Sequence, residues 1–185
     1  SPASQVLLFH DEAYRGDGNK HLVFSGVMCP KHHLSKLEQM LIDFKKSICV
    51  TGRLHIADIW NEKINTQEDF QECVKEFFQP LASSREVQFF ASIQKQVAAA
   101  PKGKEARKAH RRRRFMKIAI MLLQHEITLV TDTKGQPVLV FDKDDENEKW
   151  LSEAISALMC TLMFPYMTSL IKVPITQTIK GGSNS

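Results

Sequence analysis

The chain has 185 residues, of which 43% are hydrophobic, and a formal net charge of +4 at neutral pH. A chain of this length and apolar content can bury one well-packed core, which excludes a disordered or fibrous protein and predicts a single globular domain. Because the net charge is small, any strongly basic surface must be a local feature of the sequence.

The cysteines and the N-terminus favour an intracellular protein. Cys29, Cys49, Cys73 and Cys160 are far apart in sequence and form no CxxC pair. This spacing argues against a disulfide framework and for a reducing compartment. The opening residues SPASQ show no basic stretch followed by an apolar one, so we expect no signal peptide and predict a cytoplasmic location.

Residues 154–171 carry no charge and reach the lower length limit for a membrane span. Pro165 interrupts this stretch, hydroxyl side chains dilute it, and its first part continues the helical pattern of a charged segment. A buried helix followed by a strand explains the same residues, so we expect no membrane contact.

The N-terminal part of the chain predicts two strands and two helices. Residues 5–10 and 21–29 are rich in apolar and β-branched side chains, and the glycines between them are typical of a hairpin connection. Apolar residues then recur every three or four positions over 34–48, which predicts a helix that ends near Gly52. A second helix is predicted to run from its N-cap Thr66 to Pro80, with Asp69 completing the cap.

The C-terminal part alternates between strands and helices. Residues 86–93 predict a third strand, and a strongly basic segment then opens a long helix whose apolar face is Phe115, Ile118, Leu122 and Leu123. Residues 137–141 have the continuous apolar character of a central strand. Trp150, Ala154, Ile155, Leu158 and Leu162 line the following helix, and residues 169–176 predict a last strand.

Two predicted strands end on acids, the first at Asp11 and Glu12 and the fourth at Asp142. Ligands of an open α/β sheet collect at the carboxyl ends of its strands, so these carboxylates are candidates to share a cation. Oxygen ligands favour magnesium or manganese, which would lower the pKa of a bound water and promote phosphodiester hydrolysis. The alternative is that Asp142 caps the next helix, whose start is acidic, and that Glu12 faces solvent.

Three segments resemble the family known as domain of unknown function 3800. FHDEAYRGDG followed by HLVFSGVMCP is similar to the opening of that family, GRLHIADIW to its Leu-His-Ala segment, and VLVFDKDD to its later strand ending in Asp. The resemblance implies a ribonuclease H-like α/β fold, a mixed sheet of about five strands with flanking helices, in which residues 31–82 form a helical insertion after the second strand. It also implies that Asp11 and Asp142 bind the metal, with Glu12 adjacent and His55 entering from the insertion.

The chain departs from this family in two places. Ala13 and Tyr14 stand where the family has Ser-Gly, and the family's closing helix, which carries a last acid, is missing after TQTIKGGSNS. We expect a truncated chain, a site completed by a partner chain or oligomer, or a domain that keeps the fold without the full metal site.

Histidines could assist such a site. His55 and Asp58 lie three positions apart, so in a helix the carboxylate could orient the imidazole as a proton shuttle or metal ligand. The alternative is an ordinary histidine near a helix start. Cys29, His32 and His33 are also close together, but their spacing matches no closed zinc motif, and the entry to the first helix explains them better.

Residues 110–114, with the sequence HRRRR, and nearby Lys108 form the most strongly basic segment of the chain. Clustered cations at a helix start oppose the helix dipole, whereas phosphate binding would explain them. No aromatic residue lies between Pro101 and Phe115, so we expect contacts to the backbone rather than base stacking. A solvated helical face or a nuclear-localisation-like run are the alternatives. The candidate nucleic-acid-binding residues are Lys108, Arg111, Arg112, Arg113 and Arg114.

The sequence therefore predicts a ribonuclease H-like domain that acts on nucleic acid as a nuclease dependent on magnesium or manganese. Asp11 and Asp142 would bind the metal, Glu12 and His55 would assist, and the arginine run would attract the phosphate backbone. The alternative is a catalytically inactive module of the same fold that binds nucleic acid or a protein partner.

Overall fold

The computed structural model describes residues 4–16, 20–54, 59–60, 64–96, 98–141 and 145–161. These residues form two compact units, of which the first, the sheet unit, comprises the residues up to Met28 and those from Phe89 onward. The second, the insertion unit, is Cys29–Gln88 and contains the predicted insertion 31–82. The strand predicted over 169–176 lies outside the described residues.

The described elements follow the predicted order of strands and helices, so the chain has a mixed α/β fold with helices flanking a sheet. Within the described ranges, no helix is long and apolar enough to cross a bilayer. The strands are β1 (Gln5–Arg15), β2 (His21–Pro30), β3 (Gln88–Lys95) and β4 (Gln136–Val140); the helices are α1 (Leu34–Ser47, after a short 3-10 turn), α2 (Gln67–Ala82), α3 (Lys104–Asp132) and α4 (Asp145–Thr161).

The four strands form one sheet in the order β3-β2-β1-β4. β1 and β4 are parallel, in a register that runs from Gln5 opposite Gln136 to Phe9 opposite Val140. The connection between β1 and β2 is too short for a parallel crossover, so these strands are antiparallel. The sheet is therefore mixed, and the long helix α3 provides the crossover from one edge strand, β3, to the other, β4.

The core of the sheet unit lies between one face of the sheet and the two helices that follow it. Alternate residues of β1, β2 and β4, such as Leu8, Phe24 and Leu139, are buried, as the period of two requires. They contact the predicted apolar faces of α3 and α4, which are confirmed as buried at every predicted position except Leu162, which lies outside the described residues. Phe115 of α3 meets Trp150 of α4 with their ring centroids 5.8 Å apart.

Strand β1 is longer than predicted, and this changes the position of its acids. It continues through Asp11 and Glu12 to Arg15, so the prediction that the strand ends on these acids is wrong. Its parallel pairing with β4 stops at Phe9, but β2 continues alongside, and the hydroxyl of Ser25 donates to the carbonyl oxygen of Asp11 at 3.3 Å. The acids therefore mark the end of the parallel pairing and not the end of the strand.

In the insertion unit the predicted N-cap of α2 is confirmed. The backbone amide of Asp69 donates to the Thr66 hydroxyl oxygen at 3.1 Å, and that hydroxyl donates to the Asp69 carboxylate at 2.7 Å. Phe44 of α1 stacks on Phe77 of α2, with 4.5 Å between ring centroids. Helix α1 ends at Ser47, before the predicted Gly52, because Cys49 adopts a left-handed conformation with a φ of 58°.

Candidate nucleic-acid interface

One face of α3 carries a row of cations. Lys104, Arg107, Arg111 and Arg114 are separated by three, four and three positions, so the 3.6-residue period of the helix aligns them. His110 lies beside this row, and we call these five residues the cationic face. They line a cavity of about 490 Å³, the basic cavity, together with Tyr14, Gln96 and Ala100.

The backbone at the start of α3 reinforces this positive charge. Gly103, the residue before the helix, has a φ of 95°, and no side chain caps the first amides. Its carbonyl oxygen accepts hydrogen bonds from the backbone amide and from Nε of Arg107, at 3.0 and 3.3 Å. Because the N-terminal amides of a helix carry partial positive charge, the helix dipole adds to the potential of the side chains.

Arg114 holds the helix to the sheet. Its side chain is buried, and its guanidinium donates to the Gln96 side-chain oxygen at 3.0 Å and to the carbonyl oxygen of Lys20 at 2.9 Å. Lys20 precedes β2 and Gln96 follows β3, whose ends are joined by a hydrogen bond from the Gln96 amide to the Lys20 carbonyl. Arg114 therefore fixes one wall of the basic cavity, a role that the sequence did not indicate.

The remaining predicted cations point away from the cavity. Nε of Arg112 donates to the Glu153 carboxylate of α4 at 2.8 Å. Arg113 and Lys108 are exposed, and neither lines the basic cavity. Of the five basic residues predicted to bind nucleic acid, the structure brings only Arg111 and Arg114 to the cavity.

Three of the five residues of the cationic face, Lys104, Arg107 and His110, are not among the candidates predicted from the sequence. Those candidates follow the uninterrupted arginine run, whose members point in different directions around a helix. The signal that identifies the face is the spacing of three and four that links Lys104, Arg107 and Arg111.

His110 contributes a buried polar atom to the cavity. Its Nε2 is inaccessible to solvent and has no hydrogen-bond partner among the described residues. Buried polar atoms of this kind are rare in folded proteins, because each loses its hydration without compensation. An acceptor atom of a ligand in the cavity would supply what this nitrogen lacks.

Asp11 is exposed on β1, and its Oδ1 accepts a hydrogen bond from the Glu12 amide at 3.0 Å. Glu12 is partly exposed and, by strand alternation, shares the face of β1 that carries Tyr14. Asp142 and His55 lie outside the described residues. No group of three or more possible metal-binding side chains occurs in the described ranges. Of the two predicted metal ligands, these ranges contain only Asp11.

A buried ion pair supports the strand edge next to Asp11. Nε2 of His10 lies 2.5 Å from Oε2 of Glu126, with both side chains almost completely buried. Nδ1 of His10 lies 3.3 Å from the carbonyl oxygen of Val140, which can only accept, so Nδ1 carries a proton. The imidazole also stacks against Phe141 at 4.7 Å between centroids. The pair thus joins β1, β4 and α3.

His32 and His33, at the entry to α1, both contact the Glu86 carboxylate, whereas the Cys29 thiol donates to the carbonyl oxygen of Pro30. Nε2 of His32 lies 2.8 Å from the Glu86 carboxylate, and Nδ1 of His33 lies 3.5 Å from it. Burial of the Cys29 thiol, together with the charge of Glu86, raises its pKa. A protonated thiol is a poor metal ligand, which fits the reading of these residues as a helix entry.

No protein-family model matches this sequence, and no curated protein is significantly similar to it. The basic cavity is the strongest functional feature of the described residues.

Proposed function

We propose that this chain is a domain that binds nucleic acid through its phosphate backbone, at the basic cavity of α3. The observation that carries the proposal is the alignment of Lys104, Arg107 and Arg111 along one face of the helix, with Arg114 and His110 beside them. No carboxylate is present among the described residues that line the cavity, so its positive charge is not neutralised from within. Neutralisation of phosphates by such cations releases counterions and stabilises the complex.

The composition of the cavity favours binding that is independent of sequence. Its lining is mainly cationic, with Tyr14 as the one aromatic side chain among the described lining residues. Phosphate contacts position a nucleic acid without reading its bases, and one ring can stack on any base. We therefore expect DNA and RNA single strands to bind with similar affinity and with a strong dependence on salt.

The experiment measures binding of a fluorescent oligonucleotide by anisotropy at several salt concentrations. We expect Arg111→Gln to weaken binding about tenfold, the effect of losing about 1.4 kcal/mol, and to lower the slope of log affinity against log salt by about 1. Arg113→Gln is the matched control, since Arg113 is exposed on the same helix but does not line the cavity. Equal losses in the two variants would mean that net charge, not the cavity, binds the strand.

The second candidate function is metal-dependent hydrolysis of the bound strand by a ribonuclease H-like fold. One observation favours it. Phe9 of β1 and Val140 of β4 are the last parallel pair of these two strands, and Asp11 and Asp142 each follow two positions later in the sequence. Carboxylates that follow the last parallel pair of two neighbouring strands suit magnesium or manganese, and such an ion supplies an activated water. In this proposal Asp11 and Asp142 bind the metal, and Glu12 and His55 assist.

Cleavage of a labelled oligonucleotide with magnesium or manganese, against a chelator control, tests this second candidate. We expect Asp11→Asn to reduce cleavage at least a hundredfold and Asp43→Asn, an exposed acid of α1, to leave it unchanged. Binding without any cleavage by the wild type would instead favour the alternative of a non-catalytic module.

A further inference from the structure

We infer that the basic cavity binds a phosphate monoester, the group found at the end of a nucleic-acid strand or on a free nucleotide, in preference to an internal phosphodiester. The inference rests on the proposed function, because it assigns a ligand class to the same cavity. Three features of the cavity support it: the density of its charge, the buried nitrogen of His110, and its size.

The first feature is the density of positive charge. Lys104, Arg107 and Arg111 lie within two turns of α3, a distance of about 11 Å along the axis, and Arg114 follows one turn later. An internal phosphate of a strand carries one negative charge, whereas a monoester carries about −1.5 to −2 at neutral pH. Cations that share one cavity are all close to the same phosphate, so the attraction between them and a doubly charged monoester is stronger than their attraction to a singly charged diester.

The second feature is His110. His110 lines the cavity, and its buried Nε2 has no hydrogen-bond partner among the described residues. A monoester offers three strongly accepting oxygen atoms, one more than the two unesterified oxygens of a diester. In the tautomer that carries its proton on Nε2, the imidazole can donate to one of them while Arg107 and Arg111 bind the others.

The third feature is the size and rigidity of the cavity. Its volume of about 490 Å³ lies within the range of small-molecule sites and leaves room for a sugar and base attached to the phosphate. Tyr14 provides a ring against which a base can stack. The hydrogen bonds of Arg114 to Lys20 and Gln96 fix the wall nearest the sheet, so this wall needs little ordering when the ligand binds.

The test compares oligonucleotides of one sequence that carry a 5′-phosphate, a 3′-phosphate or hydroxyl groups at both ends, with an internal fluorophore and a chelator present. We expect one phosphorylated strand to bind at least tenfold more tightly than the hydroxyl strand. We also expect a nucleoside monophosphate with the preferred phosphate position to compete with it, whereas the corresponding nucleoside does not.

Two variants connect this preference to the cavity. His110→Leu removes the donor and should reduce the preference to less than threefold, while His125→Leu, an exposed histidine on the same helix, should retain it. Because His110 is partly buried, Arg111→Gln is the second variant; Arg111 is exposed, so the fold does not depend on it. It should reduce the preference as well.

The outcomes separate the two proposals. Equal affinity for phosphorylated and hydroxyl strands would overturn the inference and leave backbone binding intact. Binding of the nucleoside monophosphate with no binding of any strand would support the monoester site and overturn the proposed function. A preference that survives in both His110→Leu and Arg111→Gln would overturn the inference, because the phosphate would then be recognised elsewhere.

Discussion

Gly26 of β2 lies against the buried carboxylate of Glu126, which leaves no space for a side chain at this position. A Cβ built on Gly26 would overlap the Oε1 atom of Glu126 and lie 3.2 Å from Cδ2 of His10. The carboxylate cannot easily turn away, because its other oxygen is bonded to His10. Gly26 is therefore required by the ion pair and not by a backbone conformation.

We predict that Gly26→Ala destabilises the fold by about 1–3 kcal/mol, the usual cost of overfilling a packed core. Urea unfolding followed by circular dichroism measures this change. In the Glu126→Ala background the same substitution should cost much less, since the overlapping atom is gone. Equal costs in both backgrounds would contradict the steric explanation.

Arg114 yields a second prediction at the scale of one residue. Lysine keeps the charge but lacks the planar guanidinium, whose two terminal nitrogens donate separately to Gln96 and to the Lys20 carbonyl. We expect Arg114→Lys to lower the free energy of unfolding by about 1–3 kcal/mol, the range for hydrogen bonds to a charged group. Arg113→Lys, at an exposed position, should change the free energy of unfolding by less than about 0.5 kcal/mol. Thermal unfolding of the two variants measures both changes, and equal changes would contradict the role given to Arg114.

At the scale of elements, periodicity predicted the helices well and the strand ends poorly. The described residues of the apolar faces of α3 and α4 are buried as predicted, because a spacing of three and four places side chains on one face of a helix. The length of β1 could not be read from the sequence, since its continuation past Asp11 depends on β2 remaining alongside. A local pattern contains no information about which neighbour a strand keeps.

The arginine run alone also could not show which arginines of the basic segment line the cavity. The run of four arginines was visible in the sequence, but which of them meets the sheet depends on how α3 is rotated about its axis. Arg112 reaches Glu153, Arg114 reaches the ends of two strands, and Arg111 faces the cavity. Helical spacing could have separated these directions, whereas the number of charges could not.

The N-cap of α2 gives a prediction for the insertion unit. The Thr66 hydroxyl satisfies the amide of Asp69, so Thr66→Ala should destabilise this unit by about 1 kcal/mol. Thr66→Ser retains the hydroxyl and serves as the matched control. Hydrogen exchange of the amides in the first turn of α2 reports the effect locally, and unchanged exchange in the alanine variant would show that the cap does not stabilise the helix.

At the scale of the whole molecule, the order of elements and the α/β class could be predicted from the sequence because each element has its own period. The candidate site could be predicted only in part. Arg111 and Arg114, which line the basic cavity, were among the residues predicted from the local charge run. The His10–Glu126 pair, by contrast, joins residues 116 positions apart. Contacts over such a distance follow from topology and leave no mark on the local sequence.

Binding of a divalent metal distinguishes a metal-dependent nuclease from a non-catalytic module that only binds nucleic acid. If Asp142 and Asp11 share an ion, calorimetry should detect magnesium or manganese binding to the wild type at near-physiological salt. Asp142→Asn should abolish it, because a neutral amide is a much weaker ligand for a hard cation than a carboxylate. Retention of metal binding in that variant would contradict the assignment of Asp142.

An NMR titration of the isotope-labelled protein with a short single-stranded oligonucleotide locates the bound strand on the protein surface. We expect the backbone amides of Tyr14, Gln96 and residues 104–111 to shift together, and the amides of the insertion unit to remain unchanged. Saturation at one strand per chain, weakened in Arg111→Gln, would place the ligand in the basic cavity. Shifts confined to other surfaces, or none at all, would contradict the claim that the cationic face of α3 binds nucleic acid.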